Sequence, residues 1–187
     1  MANQLTSLPN LITFGRILAI PVICLLLVNG DPTGRAIALV LYVLAAFSDW
    51  LDGYLARRQG LSSPLGQMLD PIADKMLVGA LLIVLAWDGT FSPWDLLPAI
   101  AILMREIFVS GLREFLGARN VVVKVTWLAK WKTTVQLVAL TLAILEPLVP
   151  AIWLLTDLCL WLAAIMTLIT GTQYFRGAWP HLRGDQP

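Results

Sequence analysis

Asp49-Trp50-Leu51-Asp52-Gly53-Tyr54-Leu55-Ala56-Arg57 closes one long apolar run, and Gly66-Gln67-Met68-Leu69-Asp70-Pro71-Ile72-Ala73-Asp74 opens the next. Carboxylates in such surroundings are expensive and mark function by default. Read as a helix at about 100° per residue, the first segment puts Asp49, Asp52, Gly53 and Ala56 within an arc of about 100°. The second places Gly66, Asp70 and Asp74 at spacings of four, a single stripe up one side. Consecutive helices joined by a short loop are normally antiparallel neighbours, so the two acidic faces converge at one end of the pair.

Outward from this pair the chain is apolar almost throughout. Of its 187 residues, 58% are hydrophobic and 13% charged, with a mean hydropathy of +0.78. A water-soluble domain of this length has too little interior to hide such a composition. A span needs about 20 mostly apolar residues, and apolar runs lie at 11–28, 36 to about 55, about 66–87, about 94–116, 127 to about 148, and 151 to about 175. The expected fold is therefore an all-α integral membrane protein, a six-transmembrane-helix bundle forming one domain over 1–187. A short N-terminal interfacial helix is expected within 1–9, the bundle over 10–176, and a cytoplasmic tail at 177–187. Turn chemistry separates the runs, as in Asn29-Gly30-Asp31-Pro32 and Asp88-Gly89-Thr90. The first run lacks a basic leader and a small-residue cleavage site, so it is expected to be a retained span. Cys24 and Cys159 sit inside apolar runs without ligand spacing and read as core hydrophobes.

The net charge of +1 hides an asymmetry. With the N-terminus cytoplasmic, Arg57, Arg58, Arg113, Arg119, Lys124, Lys130, Lys132, Arg176 and Arg183 fall on the inner side, and the outer side keeps only Arg35. Both termini are thus expected in the cytoplasm. Trp87, Trp94 and Trp153 fall near the outer boundary and Trp127, Trp131 and Trp179 near the inner one, as interfacial belts or as packing between helices.

Four carboxylates brought within a few ångströms repel one another in a low dielectric unless cations neutralise them. Oxygen-only ligands favour hard divalent ions such as magnesium or manganese, which are commonly shared with phosphate oxygens. Gly53, Ala56 and Gly66 keep the space beside the acids clear, and Arg57 is placed to offset phosphate charge.

The full pattern Asp49-x2-Asp52-Gly53-x2-Ala56-Arg57-x8-Gly66-x3-Asp70-x3-Asp74 resembles the signature of the CDP-alcohol phosphotransferase family, eight fixed residues over 26 positions without a departure. The resemblance implies a two-metal site of Mg2+ or Mn2+ on Asp49, Asp52, Asp70 and Asp74. It also implies CDP held around Asp52, Gly53, Ala56, Arg57, Gly66 and Asp70, with Asp74 as general base. A homodimer in the bacterial cytoplasmic membrane, with its active site on the cytoplasmic side, is the assembly it suggests. The only histidine, His181, lies in the polar tail, so direct displacement is favoured over a covalent relay.

Arg105, inside the fourth run, must pair or face a polar cavity, and the adjacent Glu106 points about 100° away on a helix. Gathered beside the acids, Arg105, Arg113, Lys130 and Lys132 would hold a second anion, which suggests an acceptor alcohol bearing phosphate; glycerol 3-phosphate fits. The segments 8–16 and 129–134 are similar to those of family members that use this acceptor. That similarity implies Asn10, Thr13 and Arg16 near the nucleotide, and Lys130, Lys132, Thr133 and Arg105 near the acceptor phosphate. An interfacial turn and a basic helix end are the plainer readings of these residues. The expected partners are CDP-diacylglycerol, glycerol 3-phosphate and the bilayer, and not nucleic acid. Inositol phosphate or a neutral alcohol stands as the alternative acceptor. A cation transporter would explain the acids but not the fixed glycines, alanine and arginine, and a purely structural subunit would tolerate their loss.

Overall fold

A computed structural model describes residues 8–59, 64–119, 121 and 127–183, and among them every regular element is helical. In chain order these are α1 (Leu8–Val28), α2 (Pro32–Gln59), α3 (Pro64–Trp87), α4 (Leu96–Gly117), α5 (Trp127–Leu145), two 3-10 turns (Glu146–Leu148 and Pro150–Ile152) and α6 (Trp153–Arg183). Each predicted apolar run is a helix, and the bounds differ at the ends. Residues 1–7 of the expected interfacial segment lie outside the described residues, while Leu8 and Pro9 already form the first turn of α1, a position where proline's missing N–H does no harm. The expected tail begins as helix, because α6 runs on to Arg183. Ala178 packs there with Leu112 and Leu116 of α4, and Leu182 joins them, which gives the extra turns a buried face.

The helices over Asn10–Val28, Trp127–Leu148 and Pro150–Arg183 are long and apolar enough to cross a membrane, and Pro32–Ser48 is a shorter apolar helix. Ionic side chains interrupt the other two: Asp70, Asp74 and Lys75 in α3, and Arg105 and Glu106 in α4. The surface is inverted relative to a water-soluble protein. Leu18 is 70% exposed and Leu25 66%, while Asn10, Thr13 and Arg16 are buried on the opposite side of the same helix. Such a distribution suits hydrocarbon outside and satisfied polar groups inside. All six belt tryptophans, Trp87, Trp94, Trp127, Trp131, Trp153 and Trp179, are exposed, which favours the interface over packing between helices.

Packing divides the chain into two compact units, Met1–Thr90 with Ala143–Pro150, and Phe91–Leu142 with Ala151–Pro187. In the first, α1 packs on both α2 and α3. Its buried positions Asn10, Thr13, Arg16, Ile20, Ile23 and Leu27 recur every three or four residues, polar at one end of the stripe and aliphatic at the other. The turn into α2 follows from its residues: Gly30 takes φ +67, Asp31 Oδ2 accepts the Gly34 N–H at 2.8 Å, and Pro32 starts the helix.

Arg35, the lone cation expected on the outer side, is buried and makes four hydrogen bonds. It donates to Asp88 (2.7 Å), Thr90 (2.7 Å) and the carbonyls of Ile144 (2.9 Å) and Ala143 (3.4 Å). Pro147 has no N–H to offer the Ala143 carbonyl at the end of α5, and the guanidinium takes its place. In the second unit, α4 and α6 pack along their lengths.

Candidate active site

Asp70 and Asp74 lie one turn apart on α3, both half-buried, with Gly66 buried a turn before them. The Thr13 hydroxyl of α1 donates to Asp70 Oδ1 at 2.7 Å. Asn10, Thr13 and Arg16 are 2%, 1% and 3% exposed, so the polar end of the α1 stripe is turned into the bundle and not towards an interfacial turn. From α2, the buried Tyr42 lies within electrostatic reach of Asp74. Two helices thus meet the acidic side of α3.

The α2 backbone is helical without interruption to Gln59. Positions 49, 52 and 56 therefore continue the register of Ala38, Tyr42 and Ala45, at alternating steps of three and four residues. The side chains of Asp49, Asp52, Gly53, Ala56 and Arg57 lie outside the described residues. Among the described residues no three acidic, histidine or cysteine side chains cluster as a metal site. Asp70 and Asp74 supply the described half of the predicted oxygen set, and Asp70 keeps Oδ2 outside its bond to Thr13.

A separate polar cluster lies in the second unit. Glu106 Oε1 accepts from Arg105 Nη1 at 3.2 Å and from Lys132 Nζ, and Arg105 Nη2 donates to Thr170 Oγ1 at 3.2 Å. The adjacent arginine and glutamate do pair, although their helical positions diverge, because the long guanidinium arm swings back to the carboxylate. Of the five residues expected around an acceptor phosphate, the structure joins Arg105 and Lys132 through Glu106. Lys130 and Lys132 stand about 200° apart around a helix, and Lys130 is exposed. Thr133 is exposed and bonds the Ala129 carbonyl of its own helix, while the exposed Arg113 sits 5.8 Å from the Tyr174 ring centroid. In the second unit the buried atoms Arg105 Nε, Gln136 Oε1 and Thr167 Oγ1 find no hydrogen-bond partner among the described residues.

Glu106 and Thr170 are the members of this cluster that spacing alone did not select. A carboxylate in an apolar run with two buried cations to balance was the available signal for Glu106; nothing marked Thr170. Arg105 also borders a cavity of about 560 Å³ between α4 and α6, walled by Met104, Phe108, Leu168 and Phe175.

Buried polar stripes and acid-bearing helices inside a lipid-facing, all-helical frame define a membrane protein whose interior carries polar and ionic groups. Its sequence matches the model of one family, CDP-alcohol phosphatidyltransferase, over residues 6–169, and the chain belongs to that family. It is 41% identical to a protein of Cereibacter sphaeroides, covering 96% of this chain and 99% of the relative. A Rickettsia bellii protein is 44% identical over 91% of this chain and 94% of its own length. One from Bacillus subtilis is 36% identical over 95% and 97%. All three are named CDP-diacylglycerol–glycerol-3-phosphate 3-phosphatidyltransferase.

Proposed function

We propose that the chain is an enzyme that transfers the phosphatidyl group of CDP-diacylglycerol to glycerol 3-phosphate, giving phosphatidylglycerophosphate and CMP. The observation that carries this reading is its similarity along nearly its whole length to enzymes of that name. The complete aspartate pattern on α2 and α3 agrees with it.

In this reading Asp49, Asp52, Asp70 and Asp74 hold Mg2+ or Mn2+, and their hard oxygen donors suit either ion. Such ions, when bound, neutralise the diphosphate and stabilise charge developing on the transferred phosphoryl group. Thr13 fixes the Asp70 carboxylate. Asn10, Arg16, Gly53, Ala56, Arg57 and Gly66 surround the CDP moiety with Thr13, Asp52 and Asp70. Asp74 accepts the proton of the acceptor hydroxyl, whose oxygen forms the new P–O bond as the bond to CMP breaks.

The acceptor phosphate is bound by Arg105 and Lys132, which meet at Glu106; Arg113, Lys130 and Thr133 are exposed and are not assigned to this pocket. Support comes from Arg105 Nε, which is buried and has no acceptor among the described residues. All six helices span the inner membrane of a bacterium, with both termini and the active site cytoplasmic, and the protein works as a homodimer. The positive-inside asymmetry supports the orientation.

The test is CMP release by purified protein given CDP-diacylglycerol, Mg2+ or Mn2+, and a panel of acceptors. Dependence on glycerol 3-phosphate is expected. Release of CMP at the same rate with or without it overturns the acceptor.

A further inference from the structure

We infer that the cavity between α4 and α6 receives one acyl chain of an anionic phospholipid whose phosphate rests on Arg119 and Arg183. The site lies wholly within the second unit and goes beyond the reaction proposed above. Its apolar part measures about 560 Å³, within the roughly 300–1,000 Å³ of cavities that receive a small molecule. Its walls include Ile100, Met104 and Phe108 of α4 and Leu168 and Phe175 of α6. Met104 is 66% exposed and Ile100 51%, so the cavity opens on the lipid-facing surface.

A row of rings leads from this cavity to two cations. Phe108 and Phe175, both in its lining, have ring centroids 5.8 Å apart, and Phe175 lies 5.3 Å from Trp179. The Arg183 guanidinium lies over Trp179 at 4.8 Å. Arg119 covers the Phe115 ring at 4.2 Å, and its Nη1 donates to the His181 carbonyl at 3.4 Å, which brings it beside the same end of α6. Both arginines are exposed, and among the described residues neither pairs with a carboxylate. A guanidinium laid on a ring keeps its N–H donors in its own plane, where they are free to match a phosphate.

The order of these parts matches a lipid of one leaflet. Arg105 meets Thr170, Phe108 meets Phe175, and Leu112 and Leu116 meet Ala178, so α4 and α6 advance in the same direction. From Leu97 to Phe108 the cavity follows α4 for about 16 Å, close to half of the ~30 Å hydrocarbon thickness. Trp179, which carries the Arg183 guanidinium, lies one turn past Phe175, about 6 Å further along the helix and at headgroup depth. The proposed topology makes this end cytoplasmic. Positive-inside asymmetry alone calls for cations here, but not for rings joining them to a cavity. A zwitterionic headgroup brings its own cation against the arginines, and a water-soluble phosphate leaves the apolar space unfilled. An anionic phospholipid matches both ends.

Native mass spectrometry of the full-length protein tests this, on release from dodecylmaltoside micelles doped equally with dioleoylphosphatidylglycerol and dioleoylphosphatidylcholine. Wild type should keep the anionic lipid with a preference of about tenfold or more, the worth of one charged hydrogen bond. Arg119→Gln combined with Arg183→Gln should abolish the preference. Ala101→Phe narrows the cavity from its wall with both arginines intact, and should lower retention of the anionic lipid; Leu168→Trp takes its place if that variant does not fold. Arg113→Gln makes the same charge change on α4, but Arg113 stands about 120° round the helix from Arg119 and sits on Tyr174. It should retain lipid like wild type. Equal retention of the two lipids by wild type overturns the proposal, as does a preference that survives in the double variant. Equal loss in Arg113→Gln also overturns it, by reducing the effect to net charge. Displacement of the lipid by inorganic phosphate would assign the arginines to a free anion. A cavity-filling variant that turns a dimer into a monomer and keeps its lipid would give the groove to a second copy of the chain.

Discussion

The Thr13 hydroxyl donates to Asp70 Oδ1 over 2.7 Å, tying the buried face of α1 to the acidic stripe of α3. A carboxylate held by one lone pair has its remaining oxygen aimed before any ligand arrives. Loss of such a supporting partner commonly weakens metal affinity or activity about 10–100-fold. Thr13→Val should show that loss as a higher Mg2+ requirement, with the melting temperature near wild type. Thr13→Ser, which keeps the hydroxyl, should restore the metal titration. Equal titrations for valine and serine variants would reduce Thr13 to packing.

Asp74 stands a turn beyond Asp70 and near the buried Tyr42. Asparagine keeps its volume and removes its basicity. If Asp74 takes the acceptor proton, Asp74→Asn should lower kcat by about 10²–10⁴-fold, the usual contribution of a positioned base. The unfolding transition should stay where it was. Near-normal turnover in a folded Asp74→Asn protein would assign the base elsewhere.

Arg35 tests stability apart from chemistry. It lies 14 residues from Asp49 along α2, about 21 Å on a helix. Arg35→Met leaves the Asp88 carboxylate, 8% exposed in its side chain, without its cation. Removing one partner of a buried pair typically costs about 3–5 kcal/mol. Chemical unfolding in detergent micelles should show that loss, while turnover per folded molecule stays at the wild-type value. A variant as stable as wild type would mean that water reaches this end of the bundle.

The helical frame was legible because its cause is local. Apolar runs, Asn29-Gly30-Asp31-Pro32 and the register of Gly66, Asp70 and Asp74 act through neighbouring residues, and the helices follow them. Six helices do not by themselves make six equal spans, since the ionic residues of α3 and α4 lower their hydropathy. The link from Thr13 to Asp70 crosses 57 positions and the one from Lys132 to Glu106 crosses 26, so neither is contained in any single helix's periodicity. Lys130, Lys132 and Thr133 looked alike as a basic patch in sequence. Helical angle separates them, and the buried Glu106 carboxylate gathers only Lys132.

Gly171 offers the sharpest probe of whether Arg105 serves binding or only balances Glu106. A Cβ at this position would stand 3.0 Å from Arg105 Cγ, the flexible stem of a side chain that borders an open cavity. Alanine gains about 1 kcal/mol of helix propensity over glycine, which offsets the crowding if the arm swings aside. Gly171→Ala should therefore fold, with the Arg105 bond to Thr170 lost as the guanidinium moves. Should Arg105 hold the acceptor phosphate, the KM for glycerol 3-phosphate rises about tenfold or more, the worth of one charged hydrogen bond, while that for CDP-diacylglycerol is unmoved. Glu106→Gln serves as the contrast: it strands two cations in the interior and should destabilise by about 3–5 kcal/mol. Unaltered acceptor kinetics in Gly171→Ala, beside an unfolded Glu106→Gln, would make the arginine a structural counter-ion and move the acceptor phosphate elsewhere.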